Sequence, residues 1–559
     1  MADVWPPEPF DIAFARFAEL DAWYSGDAET LAAIYNGTSA ANVATHTING
    51  RSYRGGILGS LSKMFIGQPV VAGEKRMRMH LPLAADLCTL SADLLFGEAP
   101  QVLFRKPDDV VDAKPDESAK AKKWVHPAQD RLDKIIASDE AHAELLLAGE
   151  YSAALGGAYL AVAWDPAVSD HVFPKAYAAD CAIPEFRHGR LVGVRLWTEY
   201  RDGNIVYRLV ERHSPGTISY TLYKGTDRTL GEVRPLGERP ETAHYESLRN
   251  PSDIAAAIAA PGTLSDSLTV GTGTQRLAVT YMPNARPVRD WRKLGTLAHL
   301  GRSDLDGVQD ILDKVDMAWS SLMRDLENGQ GRLVMPEEML TVSTTPGVPA
   351  TADIYRQVFT PVGGTLGKSA DGSGPMTIVQ FAIRVEEHLQ IIEGLKKEIA
   401  SAIGYSPSHL GIEQTRRGDK TATEVTADLT DSERTRDKKA LYAKAALARW
   451  ALAALEIDKT VFAGDDIGDL SEMPDVVFAP VSQADPEKLA RTAQLLDAAR
   501  AATREEIVRT IHPDWDEQDI KDEADAIRDE MAAGSMLEPD MPLFEVKPKG
   551  DGEEPPADE

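Results

Sequence analysis

The chain is poor in cysteine, in basic charge and in long apolar runs. Its 2 cysteines, Cys88 and Cys181, stand far apart in 559 residues. They give neither a disulfide framework nor metal-ligand spacing, which fits a reduced, cytosolic compartment. The 12 histidines form no HExxH pattern. No uninterrupted apolar stretch approaches the roughly 20 residues of a membrane span, so no membrane partner is expected. The start, MADVWPPEPF, lacks the basic-then-apolar order of a secretory signal. Lys and Arg number 60 against 88 Asp and Glu, for a net charge of −28. Duplex affinity is assembled from Lys and Arg on phosphates, so this balance excludes tight wrapping of nucleic acid. The acid is also uneven. From Pro513 to Glu559 there are 17 Asp/Glu and 4 Lys/Arg, a net of −13, read as solvated helix faces and an acidic tail, disordered over 536–559.

Catalytic signatures are missing too. GGTLGKSADGSG (363–374) imitates a P-loop, but Gly363 and Gly367 are separated by three residues, not four, and Ala370–Pro375 cannot open a helix toward phosphate. Gly271-Thr272-Gly273 is too short for a dinucleotide fingerprint. Asp514, Asp516 and Asp519 lack an EF-hand glycine and read as a cap for the last helix. No Ser/His/Asp set stands at motif spacing. No enzyme activity, cofactor, metal or catalytic residue is expected.

What is present is periodicity. Phe10–Asn36 reads as two short helices meeting at Ser25-Gly26-Asp27. Leu81–Gly97 and Pro127–Leu155 read as further amphipathic helices, with Cys88 inside the first as a small apolar residue. From Ala158 the period changes to two. AYLAVAWDP reads as a buried strand, and the β-rich runs through Gly225 are punctuated by His188-Gly189, Asp202-Gly203 and Pro215-Gly216. They predict an antiparallel meander, closed by a last strand over Leu277–Tyr281. Gly225–Arg276 reads as loops, with one helix over Ile254–Ala260.

Ser303 opens a helix through Asn328, with Ser303 and Asp306 as caps. Leu305, Val308, Leu312, Val315, Trp319, Leu322 and Leu326 are spaced 3, 4, 3, 4, 3, 4, a heptad seam. A second amphipathic helix, 384–404, carries Val385, Leu389, Ile392, Leu395, Ile399 and Ile403, and Gly404 stops it. Together they predict a helical hairpin with a strand-rich insert over 331–382. A basic loop with Arg416, Arg417 and Lys420 follows, then a capping box of Thr421 and Glu424. A long helix runs through Ile457. Val476–Val481 reads as a strand, Pro486–Thr503 as a helix, and Thr503 with Glu506 caps the next. Glu517–Met531 is the last, acidic helix. On its residues alone the 405–420 loop is either a solvated connection or a channel-facing segment.

Several stretches, in this order, resemble the bacteriophage portal protein family. They are AWYSGD (22–27), LSADLLFGEAP (90–100), AIPEFRHG, WTEYRDGNIVYRLVERHSPG, HLGRSDLDGVQDILDKVDMAWSSLMRDLENGQGRLVMP, IGYSPSHLG, KTATEVTADLTDSERT and VRTIHPDWDEQDIKDEADAIRDE. The branch is that of the SPP1-type portals of actinobacterial siphophages. The resemblance implies an α+β portal fold: helical wing with antiparallel β meander, α-helical stem hairpin, small α/β clip, long helix and α-helical crown. It implies a wing over 1–300, stem helices over 301–330 and 383–404, a clip over 331–382 and a tunnel loop over 405–420. Residues 421–482 would return to the wing and 483–535 form the crown. It further implies a homo-oligomeric ring, usually a dodecamer, at one capsid vertex of the virion, assembled in the host cytoplasm. Double-stranded DNA would pass through it during packaging and ejection. Its protein partners would be the major capsid protein, scaffolding protein, large terminase and head–tail adaptor. Arg416, Arg417 and Lys420 would touch DNA, and the heptad residues would pack the stem. The alternatives are another virion connector or tail-completion protein, or a packaging enzyme, which would need the P-loop and acidic metal cluster that are missing.

Overall fold

The computed structural model describes residues 4–27, 30–31, 33, 79–105, 125–248, 266–328, 332–336, 359–362, 377–379, 384–411, 422–462, 467–468, 470–479, 486–512, 515 and 517–535. Arg416, Arg417, Lys420, Thr421, Ile254–Ala260, the 363–374 stretch and the 536–559 tail lie outside them. The chain forms two units, one of 1–110 with 125–478 and one of 111–124 with 479–559.

In the first unit, α1 (Phe10–Ser25) ends at Gly26, and α2 (Leu83–Phe96) buries Cys88 completely. Strand β1 (Gln101–Leu103) follows. The Pro127–Leu155 stretch is two helices, α3 (Gln129–Ile136) and α4 (Asp139–Leu155). They separate because the Ser138 hydroxyl accepts from Ala141 N at 3.1 Å, an N-cap that starts α4 afresh.

The strands form two sheets where the sequence predicts one meander. β2 (Gly157–Ala163) and β3 (Phe173–Ala178) belong to a three-stranded sheet. A turn at Ala179–Cys181 then carries the chain into a second sheet. That sheet is antiparallel, with β4 (Ala182–Arg187), β5 (Arg190–Asp202), β6 (Ile205–Ser214), β7 (Thr217–Thr226) and β8 (Thr229–Arg234) in sequence order. β9 (Leu268–Gly271) also pairs with β7. β10 (Val279–Pro283) returns to the first sheet, whose order is β10-β2-β3. β8 and β9 fall in the stretch read as loops. β8 has no buried residue, so this outer strand has no apolar face to mark it.

The continuous apolar run of β2 has a direct cause. Tyr159 and Ala161 enter one core, with Tyr281, Leu312 and Ile399. Ala158, Leu160 and Val162 enter another, with Trp450 and Ile457. A strand covered on both faces has no polar side to alternate with.

The hairpin follows. α5 (Gln309–Asn328) starts six residues later than the sequence predicts. Gly307 has φ +89, a left-handed conformation that no right-handed helix continues through. β11 (Arg332–Pro336), β12 (Phe359–Val362) and β13 (Thr377–Val379) form a small mixed sheet in the order β12-β11-β13. α6 (Val385–Ile403) packs on α5. α7 (Ala422–Val461) is the longest helix described, and its alanine-rich face is buried through Ile457. β14 (Asp475–Val477) pairs with β1.

The second unit contains α8 (Pro486–Ala498), α9 (Arg504–Ile511) and α10 (Glu517–Ser535). The helix read through Thr503 stops at Ala498, and Arg500 turns to φ 49. The Thr503 hydroxyl then accepts from Glu506 N, opening α9 as its capping pattern predicts. Val508, Ile520 and Ala524 form this unit's own small core.

Candidate functional site

The base of the α5–α6 hairpin joins five separate parts of the first unit through buried charge. The Lys439 ammonium on α7 donates to Asp304 Oδ2 at 2.5 Å, to Ser91 Oγ on α2 at 2.6 Å and to the Tyr405 hydroxyl at 2.7 Å. Asn284, just past β10, donates to Asp304 Oδ1 at 2.7 Å. Three acceptors engage the three protons of the ammonium, so a charge buried this deeply is fully hydrogen-bonded. Burial pulls the Lys439 pKa down, but Asp304 and Tyr405 outweigh it and hold the group above its ordinary value. Burial, with the Asp304 charge, pushes the Tyr405 hydroxyl up to about 12. Burial also raises the Cys88 thiol well above its ordinary value, which makes it unreactive.

Backbone packing fixes this joint as well. Ser303 donates to the carbonyls of Ala153 and Ala154 at the end of α4. Its oxygen accepts from Leu305 N at 3.0 Å, but it does not cap α5, which begins only at Gln309. Gly156 and Gly301 cross so closely that a Cβ on Gly156 would lie 2.4 Å from the Gly301 carbonyl oxygen. One on Gly301 would lie 1.9 Å from the Gly156 oxygen. Arg16 on α1 binds Asp306 at 2.7 Å, and Asp306 likewise pairs rather than caps. Higher on α5, buried Asp316 takes His80 Nδ1 at 2.9 Å and Leu81 N at 3.0 Å.

The heptad residues divide along the hairpin. Leu305, Val308, Leu312 and Val315 are buried in one core with Ile392, Ile399 and Tyr405. Leu322 is buried, Trp319 is half-buried, and Leu326 is 40% exposed. On the same outer half Met317 is 50%, Leu389 41% and Ile391 55% exposed. His388 meets Asp325 at 3.0 Å there, which sets the two helices antiparallel. Among the described residues no group of His, Cys, Asp and Glu is placed to hold a metal ion. No described helix is long and apolar enough to cross a membrane.

The family model for phage portal proteins of the SPP1 Gp6-like type matches residues 196–534, from β5 into α10. The chain belongs to the SPP1-type phage portal protein family. Members of that family are structural proteins. No curated protein matches this chain. A solved chain in "Neck of native GTA particle computed with C12 symmetry" aligns over 83% of this chain and 95% of its own, at 14% identity and a TM-score of 0.36.

Sequence reasoning missed the Lys439–Asp304–Tyr405–Ser91 cluster in this portal chain. One signal was available. Lys439 stands four residues before Ala443, which is followed at helical spacing by Ala446 and Trp450, all nearly inaccessible. A lysine in register with such a stripe needs a buried acid.

Proposed function

We propose that the chain assembles into a closed homo-oligomeric ring, a dodecamer, at one vertex of a capsid, as the channel through which double-stranded DNA enters and leaves. The observation that carries this beyond family membership is the half-covered seam. The heptad pattern is continuous in sequence, yet its last residue, Leu326, stays exposed in a single chain, as do Leu389 and Ile391 on α6. Apolar side chains at these positions call for neighbouring copies, with each hairpin packed beside the next. In this reading 1–300 is the wing, α5 and α6 are the stem, and 331–382 is the clip, which receives the large terminase and later the head–tail adaptor. Residues 405–420 form the tunnel loop and 483–535 the crown. The wing meets the major capsid and scaffolding proteins.

The net charge of −28 suits a conduit that must pass DNA without retaining it. Arg416, Arg417 and Lys420 would then make brief phosphate contacts. Negative-stain images of the purified protein test the ring: a closed ring with a duplex-wide hole is expected, and a persistent monomer that hydrolyses ATP would sink the reading. Reversing all three loop charges should impair packaging or retention of DNA. Unchanged packaging would remove those residues from the channel role.

A further inference from the structure

A cleft of about 450 Å³ opens between the β4–β5 turn, β10 and α7. Its lining contains four arginines, Arg190, Arg276, Arg286 and Arg449, and no acidic residue. In a chain with 88 Asp/Glu and 60 Lys/Arg, such a concentration runs against the overall charge. Among the described residues only Arg276 of these four is neutralised, by Glu456 at 2.8 Å. Arg286 gives one nitrogen to the His299 carbonyl at 2.6 Å, while its buried Nε has no partner among the described residues. The side chains of Arg190 and Arg449 form no hydrogen bond or ion pair with any described residue. Loss of hydration, then the charges of Arg190 and Arg286, hold the Arg449 guanidinium below its ordinary pKa, so these cations repel one another. The Thr280 hydroxyl, 7% exposed on β10, also lacks a partner.

Apart from Gln275 and Thr280 the rest of the lining is largely apolar, including Leu191, Val192, Leu277, Tyr281 and Tyr442. Duplex DNA presents phosphates on a wide convex surface and would seek an open basic stripe. A concave pocket of arginines set among apolar side chains suits a carboxylate with a bulky apolar neighbour.

We propose that this cleft is a receptor site for a protein segment in which Asp or Glu alternates with large apolar residues, supplied by another protein of the particle. Arg190 and Arg449 bind the carboxylates, Arg286 and Thr280 offer the inner donors, and the Tyr281–Tyr442 wall takes the apolar side chain. The inference rests on the portal reading only in placing the partner in the particle. Binding to the unassembled chain needs no ring, so its failure would leave ring formation untouched.

The test uses the full chain, before and after assembly, and a fluorescent peptide about ten residues long that alternates Glu and Leu. It should bind both forms, and its Gln-for-Glu counterpart should bind at least about tenfold more weakly. Arg449→Gln should weaken binding about tenfold while leaving the melting temperature unchanged or higher, because a repulsive charge is removed. Arg190→Gln, on the exposed turn, serves the same purpose should Arg449→Gln fail to fold. Equal binding by both peptides, or binding indifferent to Arg190 and Arg449, would overturn the proposal. Short duplex DNA binding in place of the peptide would mark a phosphate site instead. Peptide binding seen before assembly and abolished in the ring would assign the cleft to a neighbouring copy.

Discussion

The Lys439 ammonium and the Asp304 carboxylate meet 2.5 Å apart, buried, across a sequence separation of 135 residues. The pair ties the long helix α7 to the root of α5, so whatever displaces one must carry the other. Removing one member strands a buried charge. Asp304→Ala or Lys439→Met alone should destabilise the first unit by about 3–5 kcal/mol in urea unfolding. Lys439→Met combined with Asp304→Leu should recover most of that loss. Additive losses would show that the two groups are not coupled.

Buried groups at this joint, Tyr281 beside Gly301 included, set an alkaline limit. Lys439 is held above its ordinary value, and Tyr405 and Tyr281 are pushed up to about 12. In each case the folded chain keeps the proton more tightly than the unfolded one. Their contribution is complete below the unfolded values, about 10, and disappears as pH rises through the folded values. Stability should therefore be level to about pH 10 and fall by pH 12. Lys439→Met should flatten part of that fall. A wild-type curve level through pH 12 would refute this account.

Asp180 works in the opposite sense for the fold. Burial first, then the Asp21 charge, raises its carboxyl to about 6. A carboxyl raised this way penalises the folded chain once ionised. The penalty is absent below the unfolded value, about 3.9, and complete above pH 6. Asp180→Asn should add on the order of 2 kcal/mol at pH 7 and nothing near pH 4. Equal effects at both pH values would locate the gain elsewhere.

The outer hairpin separates folding from assembly. Met317 and Leu326 are exposed in the single chain, so Met317→Asp or Leu326→Asp should change monomer unfolding by less than about 0.5 kcal/mol. Both should nevertheless prevent ring formation, read by light scattering. Trp319→Asp, at a half-buried position, should block the ring and also weaken the monomer. Rings formed normally by Leu326→Asp would remove the outer seam from assembly.

Spacing made the helices legible. The 3, 4, 3, 4 series in α5 and the stripe in α6 stand out because each helix has one dry face and one wet one. Local chemistry marked the Thr503 cap and the stop at Gly404. Events decided by distant partners were invisible. Ser303 looks like a cap, but Gly307 delays α5 to Gln309, and the Ser303 hydroxyl docks on the end of α4 while accepting from Leu305 N. β2 and β3 looked continuous with the meander because strand periodicity does not say which sheet a strand joins. Lys439 drew no notice in its alanine-rich helix, since its acid lies in another part of the chain. The four arginines of the cleft come from three separate stretches, and no window of sequence contains them all.

The crossing of Gly156 and Gly301 limits how this chain can drift. A methyl group at either position would strike the backbone of the other, so neither residue has a single-step replacement, and no change at one makes room for a change at the other. A saturation mutagenesis screen should show two intolerant positions far apart in sequence, with no rescuing pair between them. Inheritance at this joint is therefore fixed by two missing side chains rather than by any contact a side chain makes.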